Sequence, residues 1–124
     1  MNLTSLFTIN AGISTFYGLG SLLAPAAAVS PYGFSLSPGE MYITRLTGAV
    51  FTGLAVLSWH ARNAPDSQAR RSIVAGFFAG DIFGLAAALS MQLQGGANTA
   101  GWMTVFMYAF FAVNYGRHHF ATSN

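Results

Sequence analysis

Residues 72–93 read SIVAGFFAGDIFGLAAALSMQL and hold a single charged residue, Asp81. A helix needs about 20 predominantly apolar residues to cross the ~30 Å hydrocarbon core of a bilayer. This segment meets that requirement, and Arg70 and Arg71 directly precede it, as basic residues do at the cytoplasmic end of a span. The segment therefore predicts a transmembrane helix, which we place over residues 69–93.

The composition extends this prediction to the whole chain. Only 6% of the residues are charged, against about 25% in soluble domains, and 53% are hydrophobic. Three more apolar segments follow the same pattern, so the sequence predicts an all-α fold: a four-helix transmembrane bundle in which residues 1–124 form a single transmembrane domain. The expected helices cover residues 4–29, 39–61, 69–93 and 102–118. The first is interpreted as a retained span, because a signal peptide needs a positive residue before its apolar core.

Two helix starts carry recognisable capping residues. Ser37 and Pro38 form a cap followed by a first-turn proline, with Glu40 beside the positive helix end. Asp66 or Ser67 can cap the third helix. Asp66 also precedes Arg70 by four residues, which predicts an ion pair along that helix. The C-terminal residues from Phe120 onward are expected to be a tail.

The basic residues orient the predicted bundle. All five are arginines, and four of them lie in the second loop or at the C-terminus: Arg62, Arg70, Arg71 and Arg117. The positive-inside rule places that side, and with it both termini, in the cytoplasm, where these arginines are expected to contact anionic lipid headgroups. A net charge of +2 is too small for a nucleic-acid footprint, so no nucleic-acid partner is expected.

A stripe of small residues runs along the third predicted helix. It recurs every four residues and consists of Ser72, Gly76, Gly80, Gly84 and Ala88. Such a stripe lets another helix approach closely. Two interpretations follow: the stripe packs inside the bundle, or it docks another subunit or a second copy. Phe77, Phe78 and Phe83 lie off the stripe and are expected to face lipid or another partner.

Asp81 and Arg45 are the polar residues that most need explanation. Asp81 lies ~15 Å beyond Arg71, near the bilayer midplane, where a carboxylate usually has a partner or a role. Arg45 shares a helix face with small residues and is expected to point inward, so we predict an Arg45–Asp81 ion pair. It would fix helix register or serve as a proton or ligand relay. Alternatively, Arg45 extends to the interface while Asp81 is protonated or bonded to Asn10 or Asn114.

The sequence contains no recognisable catalytic or metal-binding set. It has no HExxH, GxSxG or P-loop pattern and no cysteine, so no enzyme activity and no thiol chemistry are expected. The adjacent His118 and His119 project about 100° apart on a helix and do not form a metal pair. No cofactor is expected, although His60 beside Trp59 would be the residue to contact a chlorophyll-type pigment.

Several segments resemble small bacterial four-helix integral membrane proteins of no assigned function. The resemblance rests on RLTGAVFTGLA at residues 45–55, the loop at residues 61–71, residues 80–85, and residues 101–105 with Tyr108. It covers roughly residues 40–116. It implies the four-span architecture and a bacterial cytoplasmic membrane, and it carries no activity. Asp81 departs from the group, which tends to have an amide there.

These observations predict a non-catalytic accessory or structural subunit that packs against a larger membrane complex, such as a photosynthetic or respiratory one, or against itself. Abundant phenylalanine and little mass outside the membrane favour contacts with membrane lipid or pigment. The alternative is a small transporter or a carrier of a lipid or other ligand, which would use Asp81 and Arg45 inside the bundle.

Overall fold

The computed structural model describes residues 1–121, and all regular elements among them are helical. The helices are α1 (Leu3–Leu23), α2 (Pro25–Val29), α3 (Pro38–Ala61), α4 (Gln68–Leu93) and α5 (Gly101–Ala121), with a 3₁₀ turn at Ser30–Tyr32. Three of them, α1, α3 and α4, are long and apolar enough to cross a membrane. The chain is therefore an all-α integral membrane protein, as the sequence predicts.

The first predicted helix is interrupted at Pro25. The structure ends α1 at Leu23 and starts α2 at Pro25, whereas the sequence predicted one helix over residues 4–29. Ala24 between them has φ −140° and ψ 64°, outside the helical region. Proline has no N–H to continue a helix and disfavours helical geometry in the residue before it. Together these effects end α1 six residues before the predicted end.

The predicted cap of α3 is confirmed. The Ser37 hydroxyl accepts a hydrogen bond from the Glu40 N–H at 3.3 Å, and the Glu40 carboxylate accepts one from the Ser37 N–H at 2.7 Å. This reciprocal pair satisfies two of the N–H groups that a helix start leaves without intrahelical partners. Pro38 occupies the first helical position, where its missing N–H costs nothing.

The start of α4 differs from the prediction in one pairing. Ser67 caps the helix by accepting a hydrogen bond from the Arg70 N–H at 3.2 Å. Asp66 forms its ion pair at 2.8 Å with Arg71 rather than with the predicted Arg70. Because Asp66 lies before the cap, outside the helix, the regular spacing of four residues does not decide which arginine it reaches.

The last helix is longer than predicted. The sequence placed its end at His118, but α5 continues to Ala121. Phe120, which was expected in the tail, packs edge-to-face against Phe78 with the ring centroids 5.6 Å apart. This contact and the absence of glycine or proline after Gly116 allow the helix to continue. The rest of the predicted tail, residues 122–124, lies outside the described residues.

The chain divides into two compact units, Met1–Asn63 and Ala64–Asn124. In the first unit α1 packs on α3, and in the second α4 packs on α5. Each unit is thus a pair of long helices joined by a connection too short for a further long helix. The single transmembrane domain over the whole chain stays a prediction.

Candidate functional site

Asp81 lies on the face of α4 that packs against α5. Four residues before it, the Phe77 ring stacks on Tyr115 with the centroids 5.2 Å apart. Three residues after it, Gly84 meets the ring of Tyr108: a Cβ added to Gly84 would stand 2.6 Å from Tyr108 Cδ1. Residues three and four apart share a helix face, so Asp81 is held between these two contacts.

One oxygen of the Asp81 carboxylate is buried without a partner. No described residue of the second unit donates a hydrogen bond to its Oδ2. The Tyr108 phenol is close enough to interact with Asp81 electrostatically. A buried carboxylate oxygen without a donor is costly, so this group calls for a proton or for a partner from outside the unit.

Arg45 lies on α3 in the first unit, and its side chain is exposed. The prediction that its helix face points inward holds for Gly48, which is buried against α1, but Ala49 and Gly53 on that face are exposed. The face is split because α1 covers only the Gly48 side of it. The Arg45–Asp81 pair would join residues of different units and stays a prediction.

The small-residue stripe of α4 is only partly used within the second unit. Gly84 and Ala88 are half-buried, whereas Ser72, Gly76 and Gly80 are exposed. A Cβ added to Gly76 or Gly80 would meet nothing within 4 Å. The N-terminal part of the stripe is therefore not part of the contact between α4 and α5.

Aromatic residues form much of that contact, contrary to the expectation that Phe77 and Phe78 face lipid or another partner. Phe77 packs on Tyr115, and the Phe78 ring fits against Gly116, where an added Cβ would stand 2.9 Å from it. Gly116, which was not singled out from the sequence, is the small residue that makes room for this ring. Phe83 does remain 75% exposed.

The first unit contains a close glycine contact that the sequence analysis missed. A Cβ added to Gly18 would stand 2.7 Å from the backbone nitrogen of Thr52, and one added to Gly48 would stand 2.6 Å from that of Leu22. Close helix packing of this kind needs residues without side chains. The available signal was the run of small residues on the buried face of α1: Ala11, Ser14 and Gly18.

Buried polar groups accompany this contact. The Ser14 hydroxyl donates to Asn10 Oδ1 at 2.8 Å, and both residues are buried on α1. Ser58 on α3 is fully buried, and its hydroxyl has no hydrogen-bond partner among the described residues.

Asn114 donates to the Phe110 carbonyl oxygen within α5 at 2.8 Å. For Asn114, this bond is to its own helix rather than the interhelical bond considered from the sequence.

The predicted headgroup arginines lie at helix ends. Arg62 follows α3, and its guanidinium carbon lies 3.1 Å above the centre of the Trp59 ring. Arg70 and Arg71 lie in the first turn of α4, and Arg117 lies near the end of α5. Positions at helix ends are suitable for residues at the membrane–water interface. Contact of these arginines with lipid headgroups stays a prediction.

The histidines do not form a metal site within the described residues. No group of three or more His, Cys, Asp or Glu residues there could hold a metal ion. The His119 ring stacks on Phe78 with the centroids 5.8 Å apart. His60 is exposed at the end of α3, and pigment contact through it is untested.

Comparison with known proteins returned no match to a protein-family model, a curated protein or a solved structure. The function of this chain is therefore inferred from its own residues.

Proposed function

We propose that the chain is a non-catalytic integral membrane protein that serves as a small accessory subunit, packed against a larger membrane complex or against itself. In this proposal α1, α3, α4 and α5 each cross the membrane, with both termini on the cytoplasmic side. Helix α5 has 21 residues, or ~31 Å of helix, which is long enough to span. Its polar end at Arg117, His118 and His119 would lie among the headgroups. The bacterial cytoplasmic membrane is the proposed location.

The observation that carries this proposal is the exposed part of the α4 stripe. Ser72, Gly76 and Gly80 follow one another at four-residue spacing on an apolar helix, and open space lies above both glycines. In lipid, helices associate through close packing of such small residues because no hydrophobic drive brings them together. An exposed stripe on a spanning helix thus supports a role in binding a further helix.

The test is to purify the full chain from its native membrane in a mild detergent and to identify the co-purifying proteins by mass spectrometry. An absorption spectrum of the same sample would reveal a bound pigment. We expect a stoichiometric partner, and we expect Gly80→Leu to remove it by placing a bulky side chain on the stripe. Retention of every partner by Gly80→Leu would rule out the stripe as the docking face.

Ala79→Leu is the matched control. Ala79 is also exposed in the middle of α4, but it projects about 100° away from Gly80. The control adds the same side chain at the same depth, so it should keep the partner. Loss of the partner in both variants would mean that bulk on α4, rather than the stripe, is what matters.

The buried carboxylate favours a second candidate function, a small transporter or ligand carrier that uses Asp81 and Arg45. Asp81 Oδ2 has no donor within its own unit, and intramembrane carboxylates without a structural partner often belong to ion or substrate paths. This candidate predicts that Asp81→Asn abolishes uptake of a cationic or protonated solute in reconstituted vesicles while the protein stays folded. Transport unaffected by Asp81→Asn would remove it.

A further inference from the structure

An open groove runs along the outside of the first unit between α1 and α3. It has a volume of about 640 Å³. Ala11 and Ala55, both 5% exposed, form its floor. The remaining lining residues are Thr8, Gly12, Thr15 and Leu19 of α1 and Thr52, Val56, Trp59 and His60 of α3. Thr52 also meets Gly18, so one end of the groove lies beside the close glycine contact.

Each threonine hydroxyl in the groove already donates a hydrogen bond to a backbone carbonyl oxygen. Thr8 donates to the Thr4 carbonyl oxygen, Thr15 to that of Ala11 and Thr52 to that of Gly48, at 2.7 to 2.8 Å. With these donors satisfied along their own helices, this stretch of the groove does not need a polar ligand. An occupant made of hydrocarbon would fit this chemistry, whereas a sugar or nucleotide would find few donors.

The length of the groove matches one leaflet of a bilayer. From Thr8 to Leu19 the α1 side covers ~16 Å along the helix axis. This is about half of a ~30 Å hydrocarbon core. One acyl chain of a phospholipid occupies the depth of one leaflet, so a groove of this length can hold one such chain. The groove therefore has the length of a lipid chain.

One end of the groove carries positive charge. Trp59 lines the groove, and its ring holds the Arg62 guanidinium, which also donates to the Trp59 carbonyl oxygen at 3.0 Å. His60 lies beside them in the groove wall. The acidic residue of this unit, Glu40, lies at the opposite end of α3. The end with an interfacial tryptophan is thus also the end that attracts an anion.

We propose that this groove is a binding site for a single anionic phospholipid. One acyl chain lies between α1 and α3 over Ala11 and Ala55, and the phosphate headgroup lies beside Arg62 and His60. The site is formed by residues of α1 and α3, so it requires these two helices to be membrane spans and uses no residue of α4. In this proposal the Trp59 side chain has two roles. It forms part of the wall around the acyl chain, and its ring holds the Arg62 guanidinium by a cation–π contact.

Native mass spectrometry of the full chain in mild detergent tests this site, with equal amounts of dioleoyl phosphatidylglycerol and dioleoyl phosphatidylcholine added. The wild type should retain one phosphatidylglycerol per chain. Arg62→Gln should reduce its preference for phosphatidylglycerol over phosphatidylcholine by about fivefold. The Gly12→Leu variant should bind neither phosphatidylglycerol nor phosphatidylcholine. A Cβ at this position meets nothing within 4 Å, so the added side chain can extend into the groove and fill it.

Gly53→Leu is the control for the groove. Gly53 is an exposed α3 glycine that also has open space around it, but it does not line the groove, so its variant should retain lipid like the wild type. If Gly12→Leu does not give the circular dichroism spectrum of a folded helical protein, Val56→Phe fills the same groove from α3. Wild-type retention of lipid by a folded groove-filling variant would overturn the proposal.

A second copy in the groove would also overturn it. The chain has no cysteine, so Thr15→Cys introduces a single reactive thiol in the groove wall. Under mild oxidation we expect this variant to stay monomeric, because the acyl chain occupies the groove. Formation of a disulfide-linked dimer in native membranes, together with absence of bound phosphatidylglycerol, would assign the groove to another copy of the chain.

Discussion

The backbones of Gly18 and Gly48 are in direct contact between α1 and α3. A Cβ added to Gly48 would stand 2.7 Å from the Gly18 carbonyl oxygen, and one added to Gly18 would stand 3.1 Å from the Gly48 carbonyl oxygen. Each glycine thus occupies the space that a side chain on the other helix would need. The first unit is held together at a point where neither helix accepts a methyl group.

We therefore expect Gly48→Ala to destabilise the protein by about 1–3 kcal/mol, the usual cost of overpacking. The obstructing atoms belong to backbone, which cannot swing away as a side chain would. The measurement is unfolding of the purified protein by SDS titration, followed by far-UV circular dichroism. Gly53→Ala is the control, because a Cβ there meets nothing within 4 Å. It should keep or raise stability by about 0.5–1 kcal/mol.

Much of the helical architecture was predictable, because composition and capping chemistry are local. The Ser37 cap with Glu40 was expected from residue type and spacing alone. The break before Pro25 is also a local effect, but the sequence was interpreted as one helix over residues 4–29, so the break was missed. The ends of α3 and α4 at Ala61 and Leu93 agree with the prediction.

The local nature of the cap gives a second prediction. Ser37→Ala should cost about 1 kcal/mol of stability, since it removes the acceptor for the Glu40 N–H at the start of α3. Ser35→Ala is the control, because Ser35 lies before the helix and is exposed. Equal unfolding midpoints for the two variants in the same SDS titration would show that the capping box adds nothing to stability.

The packing partners were less predictable, because a sequence shows which residues share a helix face but not which helix covers that face. The α4 stripe was recognised, yet within the second unit only its later part approaches α5, through Gly84. The Phe77 and Phe78 rings make the remaining contacts with Tyr115 and Gly116. Which face a neighbour covers depends on the shape of the neighbour, here on Gly116.

A third prediction separates two glycines of the same stripe. Gly84→Ala should destabilise the protein by about 1–3 kcal/mol, because its Cβ would collide with the Tyr108 ring. Gly80→Ala, one turn away and without a neighbour within 4 Å, should be neutral or slightly stabilising. The cost of Gly84→Ala should largely disappear in a Tyr108→Ala background, measured as a double-mutant cycle. An unchanged cost would mean that the collision is not with Tyr108.

The sequence raises one specific question about the candidate site, namely which group pairs with Asp81. Its distance from Arg71 predicts a position near the midplane, and the structure adds that Oδ2 has no donor within the second unit. Burying a charge without a partner is expensive, so this carboxylate needs either a proton or a partner from outside the second unit. The pairing with Arg45 stays a prediction.

The last prediction tests this pair by a double-mutant cycle with Arg45→Gln and Asp81→Asn. If the two side chains pair, each single variant leaves the other charge without its partner, so each should be destabilised. The double variant should lose less than the sum, with an interaction energy of about 0.5–3 kcal/mol. Unfolding by SDS titration gives all four free energies. Additivity within about 0.5 kcal/mol would show that the residues do not interact. Asp81, charged or protonated, would then lie against the aromatic rings of α5 without Arg45 as its partner.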